Sequence, residues 1–137
     1  GIPFRFPAGH PFNPLHHLRL SIACGSKPDV VQRIFDSLWT GADDPASPLA
    51  FSKLANLLGV DPARLSTDEI KGALRKNTEQ AAARGVVGVP TFEVDGELFW
   101  GADSIEFAQA FLADRSVVHN DEMRRVDGLP AAASRMK

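Results

Sequence analysis

The pair Asp95-Gly96, set between Thr91-Phe92-Glu93-Val94 and Glu97-Leu98-Phe99-Trp100, restricts the fold of this chain more than any other feature. A two-residue type I′ turn needs positive φ at both central residues. Gly takes it freely and Asp tolerates it, so the pair predicts a tight antiparallel hairpin over residues 91–100. No third strand is apparent. Residues 1–14 carry Pro3, Pro7, Pro11 and Pro14, which lack amide donors and do not suit a central strand. A lone two-stranded hairpin is marginal in water. The hairpin must pack on helices or pair with strands outside these residues.

The rest of the pattern is helical. Asn13-Pro14 and Ser47-Pro48 each place a capping side chain before a proline at the first helical position. The first opens a helix with Leu15, Leu18 and Ile22 in register, stopped by Gly25. A second is expected from about Pro28 to Trp39, with Val31, Ile34, Phe35 and Leu38 on one face. Phe51, Leu54, Leu57 and Leu58 form the stripe of the third, which Gly59 stops. Ser66 and Glu69 fit a capping box for a fourth helix, ending near Arg84 with Gly85 as its cap. After the hairpin, Gly101-Ala102-Asp103-Ser104 feeds a last helix with Ile105, Ala108, Phe111 and Leu112 on one face. The domains expected are a helical region with an extended N-terminal loop (1–84), a β-β-α unit (85–113) and a frayed polar tail (114–137). Phe4, Phe6 and Phe12 are too apolar for a free loop and are expected to pack.

Charge excludes some functions. Fifteen Lys and Arg against seventeen Asp and Glu give a net charge of −2, which argues against nucleic-acid binding. No apolar run is long enough to cross a bilayer, so no membrane partner is expected. A single cysteine, Cys24, forms no internal disulfide and no CxxC pair. It points to a reducing, cytoplasmic setting and reads as a small hydrophobe at the end of the first helix. His16-His17 is not a metal site: adjacent helical residues point apart, and Arg19, Leu20 and Ser21 follow where ligands would stand.

These segments resemble a known family. Gly1-Ile2-Pro3-Phe4-Arg5-Phe6-Pro7, His10-Pro11-Phe12-Asn13-Pro14-Leu15, Gly85-Val86-Val87-Gly88-Val89-Pro90-Thr91-Phe92 and Gly96-Glu97-Leu98-Phe99-Trp100-Gly101-Ala102-Asp103 are similar to 2-hydroxychromene-2-carboxylate isomerases. These are relatives of kappa-class glutathione transferases in the DsbA-like thioredoxin superfamily. The resemblance covers residues 1 to about 112. It implies an α/β chain: the C-terminal β-β-α half of a thioredoxin-like fold, preceded by a mostly helical insertion. The N-terminal β-α-β half, with the glutathione-activating Ser, is expected to be absent. The chain starts at Gly1 without Met and is expected to begin after processing, after cloning or inside a longer gene product.

The residues alone suit a trans proline at the start of an edge strand. The resemblance implies a cis bond between Val89 and Pro90, with the Val89 backbone open to an extended peptide such as glutathione. It also implies glutathione contacts from Pro90, Trp100, Gly101, Ala102 and Asp103. A helix N-terminus suits the γ-glutamyl carboxylate, although Asp103 could equally be a plain N-cap. Arg5 and Asn13 are substrate candidates for a small aromatic carboxylate. Their plainer readings are a solvated arginine and a helix cap. The implied function is glutathione-dependent isomerisation in aromatic catabolism, by a homodimer, with this chain an inactive fragment. Two alternatives stand beside it: a fragment of a DsbA-like thiol–disulfide oxidoreductase, and a non-enzymatic truncated domain that oligomerises through its unpaired strand edge.

Overall fold

A computed structural model describes residues 1, 3–41 and 43–129. The chain divides into two compact units, Gly1–Gln80 and Ala81–Lys137.

The first unit is helical. Its α-helices are α1 (Leu15–Ala23), α2 (Pro28–Trp39), α3 (Pro48–Leu57) and the greater part of α4 (Asp68–Ala83). The proline-led start at Ser47-Pro48 is as expected, whereas α1 begins one residue later than expected, with Pro14 itself as its N-cap. Asn13 Oδ1 accepts from the Leu15 N–H at 3.0 Å, and Ser47 Oγ accepts from the Ala50 N–H. Gly25, Gly59 and Gly85 follow α1, α3 and α4, each with positive φ. At Gly85 the geometry is that of a Schellman closure: the Gly85 N–H reaches Ala82 O and the Val86 N–H reaches Ala81 O, both at 3.0 Å.

The cap of α4 differs from expectation. Residues Pro62–Ser66 wind into a 3₁₀ turn capped by Asp61. Ser66 is consumed in that turn, and Thr67 Oγ1 meets the Ile70 N–H instead, at 3.5 Å.

The faces also differ. The core holds Leu20, Val30, Ile34, Leu38, Leu54, Ala55, Val60 and Leu65, whereas Leu15, Leu18, Phe35 and Leu57 are exposed. Helix α1 has two apolar stripes on nearly opposite sides, 15/18/22 and 17/20/24. Periodicity cannot choose between them; packing on α2 and on the 62–66 turn buries the second. The N-terminal phenylalanines do pack. Phe4 stacks on Trp39 with centroids 6.0 Å apart, and Phe6 and Phe12 meet the same indole at 6.2 Å. The Arg5 N–H donates to Trp39 O at 2.6 Å. The His10–Pro11 bond in this segment is cis, which the sequence reading did not anticipate.

The second unit follows β1 (Thr91–Val94), β2 (Glu97–Trp100), α5 (Ile105–Ala113) and α6 (Asp121–Asp127). Both strands fall where the sequence placed them. They pair antiparallel from Thr91↔Trp100 to Val94↔Glu97. Asp95 and Gly96 have φ of +52° and +89°, as a type I′ turn requires. Among the described residues the sheet has these two strands. Phe99 packs on Ala108 and Phe111 of α5, with Val94 and Val118 at the margin. Ile105 and Leu112, expected on this face, are exposed.

The frayed tail is a correction. A 3₁₀ turn at Arg115–Val117 and helix α6 follow α5. Arg115 lies over the Phe111 ring at 4.6 Å and pairs with Asp95 at 2.5 Å. His119 stands 3.5 Å from Glu97. Alternating charge and few apolar residues disguise a segment that closes over the hairpin by ion pairs. The rest of the expected tail, residues 130–137, lies outside the described residues.

Candidate functional site

The second unit brings together the six residues expected at a glutathione site. The Val89–Pro90 bond is cis. The Gly101 N–H donates to Pro90 O at 2.8 Å, which joins the proline corner to the loop that follows β2. Thr91 Oγ1 donates to Gly88 O at 2.6 Å and braces the corner from the other side. Val89 is 88% exposed, and no hydrogen bond engages its N–H or C=O among the described residues.

Trp100 crosses this corner. A Cβ on Gly88 would lie 2.6 Å from Trp100 Nε1, so the indole rests directly on the Gly88 backbone. It keeps 60% of its surface open. Sequence reasoning missed Gly88 and Thr91 as supports. Their signal is the placement of a residue without a side chain and of a hydroxyl on either side of Val89-Pro90.

Gly101 has φ +92° and ψ 157°, a region open in practice to glycine alone. Its conformation turns the chain into a short 3₁₀ segment, Ala102–Ser104, that leads into α5. Ser104 Oγ donates to Gly101 O at 2.8 Å. Asp103 makes no side-chain cap to this turn or to α5, so the plain capping reading fails. Its exposed carboxylate folds back toward Gly101, where an added Cβ would meet Oδ1 at 2.3 Å. The N–H groups of Ala102 and Asp103 have no partner among the described residues. Chemically, the loop presents free amide donors, one carboxylate, an open peptide at Val89 and an aromatic face.

The DSBA-like thioredoxin domain family matches residues 1–113. The chain belongs to that family. It is 31% identical over 88 residues to the 2-hydroxychromene-2-carboxylate isomerase of Sphingobium xenophagum, covering 61% of this chain and 45% of the relative. The chain thus spans about half the length of that relative. A solved structure of a 2-hydroxychromene-2-carboxylate isomerase superposes with a TM-score of 0.62 at 23% identity, over 90% of this chain and 63% of that one. At that identity the likeness is one of fold. This DSBA-like thioredoxin chain is accordingly a helix-rich α/β fold with a two-stranded sheet.

The two expected substrate residues lie in the first unit. The Arg5 side chain is exposed. Asn13 is held by its cap to Leu15 and borders a cleft of about 460 Å³. His17 borders the same cleft, is 6% exposed, and its Nδ1 has no hydrogen-bond partner. Burial, with neighbouring His16 adding to it, pushes its pKa down. Its signal was the 17/20/24 stripe. Cys24 is half-buried, and burial pushes its thiol pKa up, the reverse of an activated thiolate. Among the described residues no helix is long and apolar enough to cross a membrane.

Proposed function

We propose that the second unit is the glutathione-binding part of an isomerase acting on a small aromatic carboxylate, of the 2-hydroxychromene-2-carboxylate type. On this reading residues 85–113 supply the β-β-α part of a thioredoxin-like fold. The Gly101 N–H···O Pro90 bond carries the proposal, because it joins the two segments that the resemblance assigns to one peptide ligand. Glutathione fits the groups present. The Ala102 and Asp103 amides suit its γ-glutamyl carboxylate at a helix start. The Asp103 carboxylate suits the adjacent ammonium, and the Val89 peptide can pair with an extended backbone. Bound glutathione would supply a thiol that adds reversibly to a conjugated substrate, permitting bond rotation before it departs.

The residues of this chain bind and orient. Trp100 covers one side of the corner, and Gly101 holds the loop in register with Pro90. The proposal extends to a homodimer, supported by strand edges that have no partner strand among the described residues.

Calorimetric titration with reduced glutathione tests the reading. Saturable one-site heat, lost in Asp103→Ala with its circular dichroism unchanged, is the expected result. Absence of heat, or heat indifferent to Asp103, overturns it.

A further inference from the structure

Helix α2 carries two stripes on nearly opposite sides. Val30, Ile34 and Leu38 are buried in the core of the first unit. Gln32, Phe35, Asp36 and Trp39 stand at i, i+3, i+4 and i+7, which is one helical face. All four border a cavity of about 540 Å³, and Phe4 borders it from the N-terminal segment. That volume lies within the range of small-molecule sites, roughly 300–1,000 Å³.

The walls are aromatic and open to solvent. Phe4 is 65% exposed and Phe35 55%. Phe4 stacks on the Trp39 indole with planes 11° apart. Phe6, His10 and Phe12 hold that indole edge-on or tilted, with centroids 5.9 to 6.2 Å away. Packing therefore fixes the Phe4 and Trp39 rings in place. Phe35 joins neither the core nor its margin, so the core of this unit does not use its ring.

Charge at the cavity is the second, independent sign. Among the described residues its border carries one carboxylate, Asp36, and no lysine or arginine. Gln32 Nε2 donates to Asp36 Oδ1 at 2.8 Å, which steadies the carboxylate and leaves Oδ2 open. Arg33 and Lys53 border an adjoining hollow that Asp36 also reaches, yet Asp36 forms no ion pair among the described residues. Asp36 lies in the last turn of α2, which contains no base. The C-terminal end of a helix carries partial negative charge and favours cations, so an acid there costs the helix stability. A cation bound beside the helix accounts for its position.

We infer that this cavity binds a small organic cation, an alkylated ammonium, held by the rings of Phe4, Phe35 and Trp39 and by the Asp36 carboxylate. Aromatic rings attract such cations through their quadrupole, and Asp36 supplies the counter-charge. The same carboxylate repels an anionic ligand, so the inference is independent of the glutathione reading and of its aromatic carboxylate substrate.

The test is a nuclear magnetic resonance titration of the full chain with choline chloride and, in parallel, with its neutral carbon isostere 3,3-dimethylbutan-1-ol, at ionic strength held constant with sodium chloride. Choline is expected to shift the Trp39 indole N–H and the Phe35, Asp36 and Thr40 amides saturably. The isostere should bind at least about fivefold more weakly, since it lacks the charge. Phe35→Leu removes an exposed ring, and Asp36→Asn removes the charge while keeping an oxygen for Gln32. Each should weaken choline binding several-fold with the spectrum otherwise retained. Phosphatidylcholine vesicles, which present the same headgroup on a membrane, should not sediment the chain. The inference is overturned by any one of these results: no saturation by about 50 mM, binding of the isostere within about fivefold of choline, affinity unaltered in either variant, or co-sedimentation with the vesicles.

Discussion

Replacing Gly101 with Ala tests the joint on which the glutathione site depends. At φ +92° and ψ 157° an L side chain meets a backbone penalty of about 1–3 kcal/mol. The new Cβ would also stand 2.3 Å from Asp103 Oδ1. That second effect is small, because Asp103 is exposed and its carboxylate can swing away. If the loop relaxes to relieve the strain, the Gly101 N–H···O Pro90 bond weakens, with a further cost of about 1 kcal/mol. The expected loss is therefore dominated by backbone conformation. Thermal denaturation followed by circular dichroism should show a midpoint lowered by roughly 3–6 °C for each kcal/mol lost. The double variant Gly101→Ala/Asp103→Ala separates the two causes. It should recover almost none of the loss relative to Asp103→Ala alone, because removing the carboxylate does not relieve φ. A midpoint within about 1 °C of wild type would refute the reasoning, as would full recovery in the double variant.

Gly88→Ala should push the indole off the corner, since its Cβ would approach Trp100 Nε1 to 2.6 Å; in a Trp39→Phe background, acrylamide should then quench Trp100 more strongly, and unchanged quenching would contradict the packing. His17 has a folded pKa below its unfolded value of about 6.5, so the unfolded chain takes up the proton first. Stability should be unaffected well above pH 6.5 and fall as pH drops below it, by up to about 1.4 kcal/mol per pH unit until the folded pKa is reached; urea midpoints at pH 7.5 and 5.5 should show this fall reduced in His17→Phe. Arg115→Ala removes a half-exposed ion pair to Asp95 and a cation–π contact with Phe111. A loss of about 0.5–1.5 kcal/mol is expected, and urea denaturation showing no loss at low salt would indicate that the 115–119 segment does not hold the hairpin.

What the sequence made legible was local. Ser47-Pro48 and the glycines at 25, 59 and 85 each act within a few residues, and the structure uses them as the pattern implied; Asn13-Pro14 acts as locally, with α1 starting one residue later. Asp95-Gly96 is of the same kind. What stayed illegible depended on partners distant in sequence. The choice between the two stripes of α1 is made by α2 and the 62–66 turn, not by α1. The 3₁₀ turn that takes Ser66 from α4 is opened by Asp61, a cap that the stronger Ser66–Glu69 spacing masked. Helix α6 is a third case. Asn120 caps it, and the pairs Asp121–Arg124 and Glu122–Arg125 brace a helix with no buried residue. A reading that searches for apolar faces passes over such a helix.

The hairpin that carries the candidate site belongs to the legible class for a reason that lies in its register. Every bond that builds the site spans few residues: Thr91 to Gly88, Ser104 to Gly101, and Gly101 to Pro90 across the strand pair. The last is set by register. With two residues in the turn, Val94 faces Glu97, Thr91 faces Trp100, and Pro90 comes opposite Gly101. A slip of one residue would place Gly101 opposite Thr91 and exchange the faces of Phe99 and Trp100. The core would lose Phe99 against Phe111, and the corner would lose its indole. Burial of Phe99 and assembly of the site therefore select the same register, and the two positive-φ residues at 95 and 96 are what make that register short enough to close. The geometry at Pro90 is thus written five residues away, in the turn.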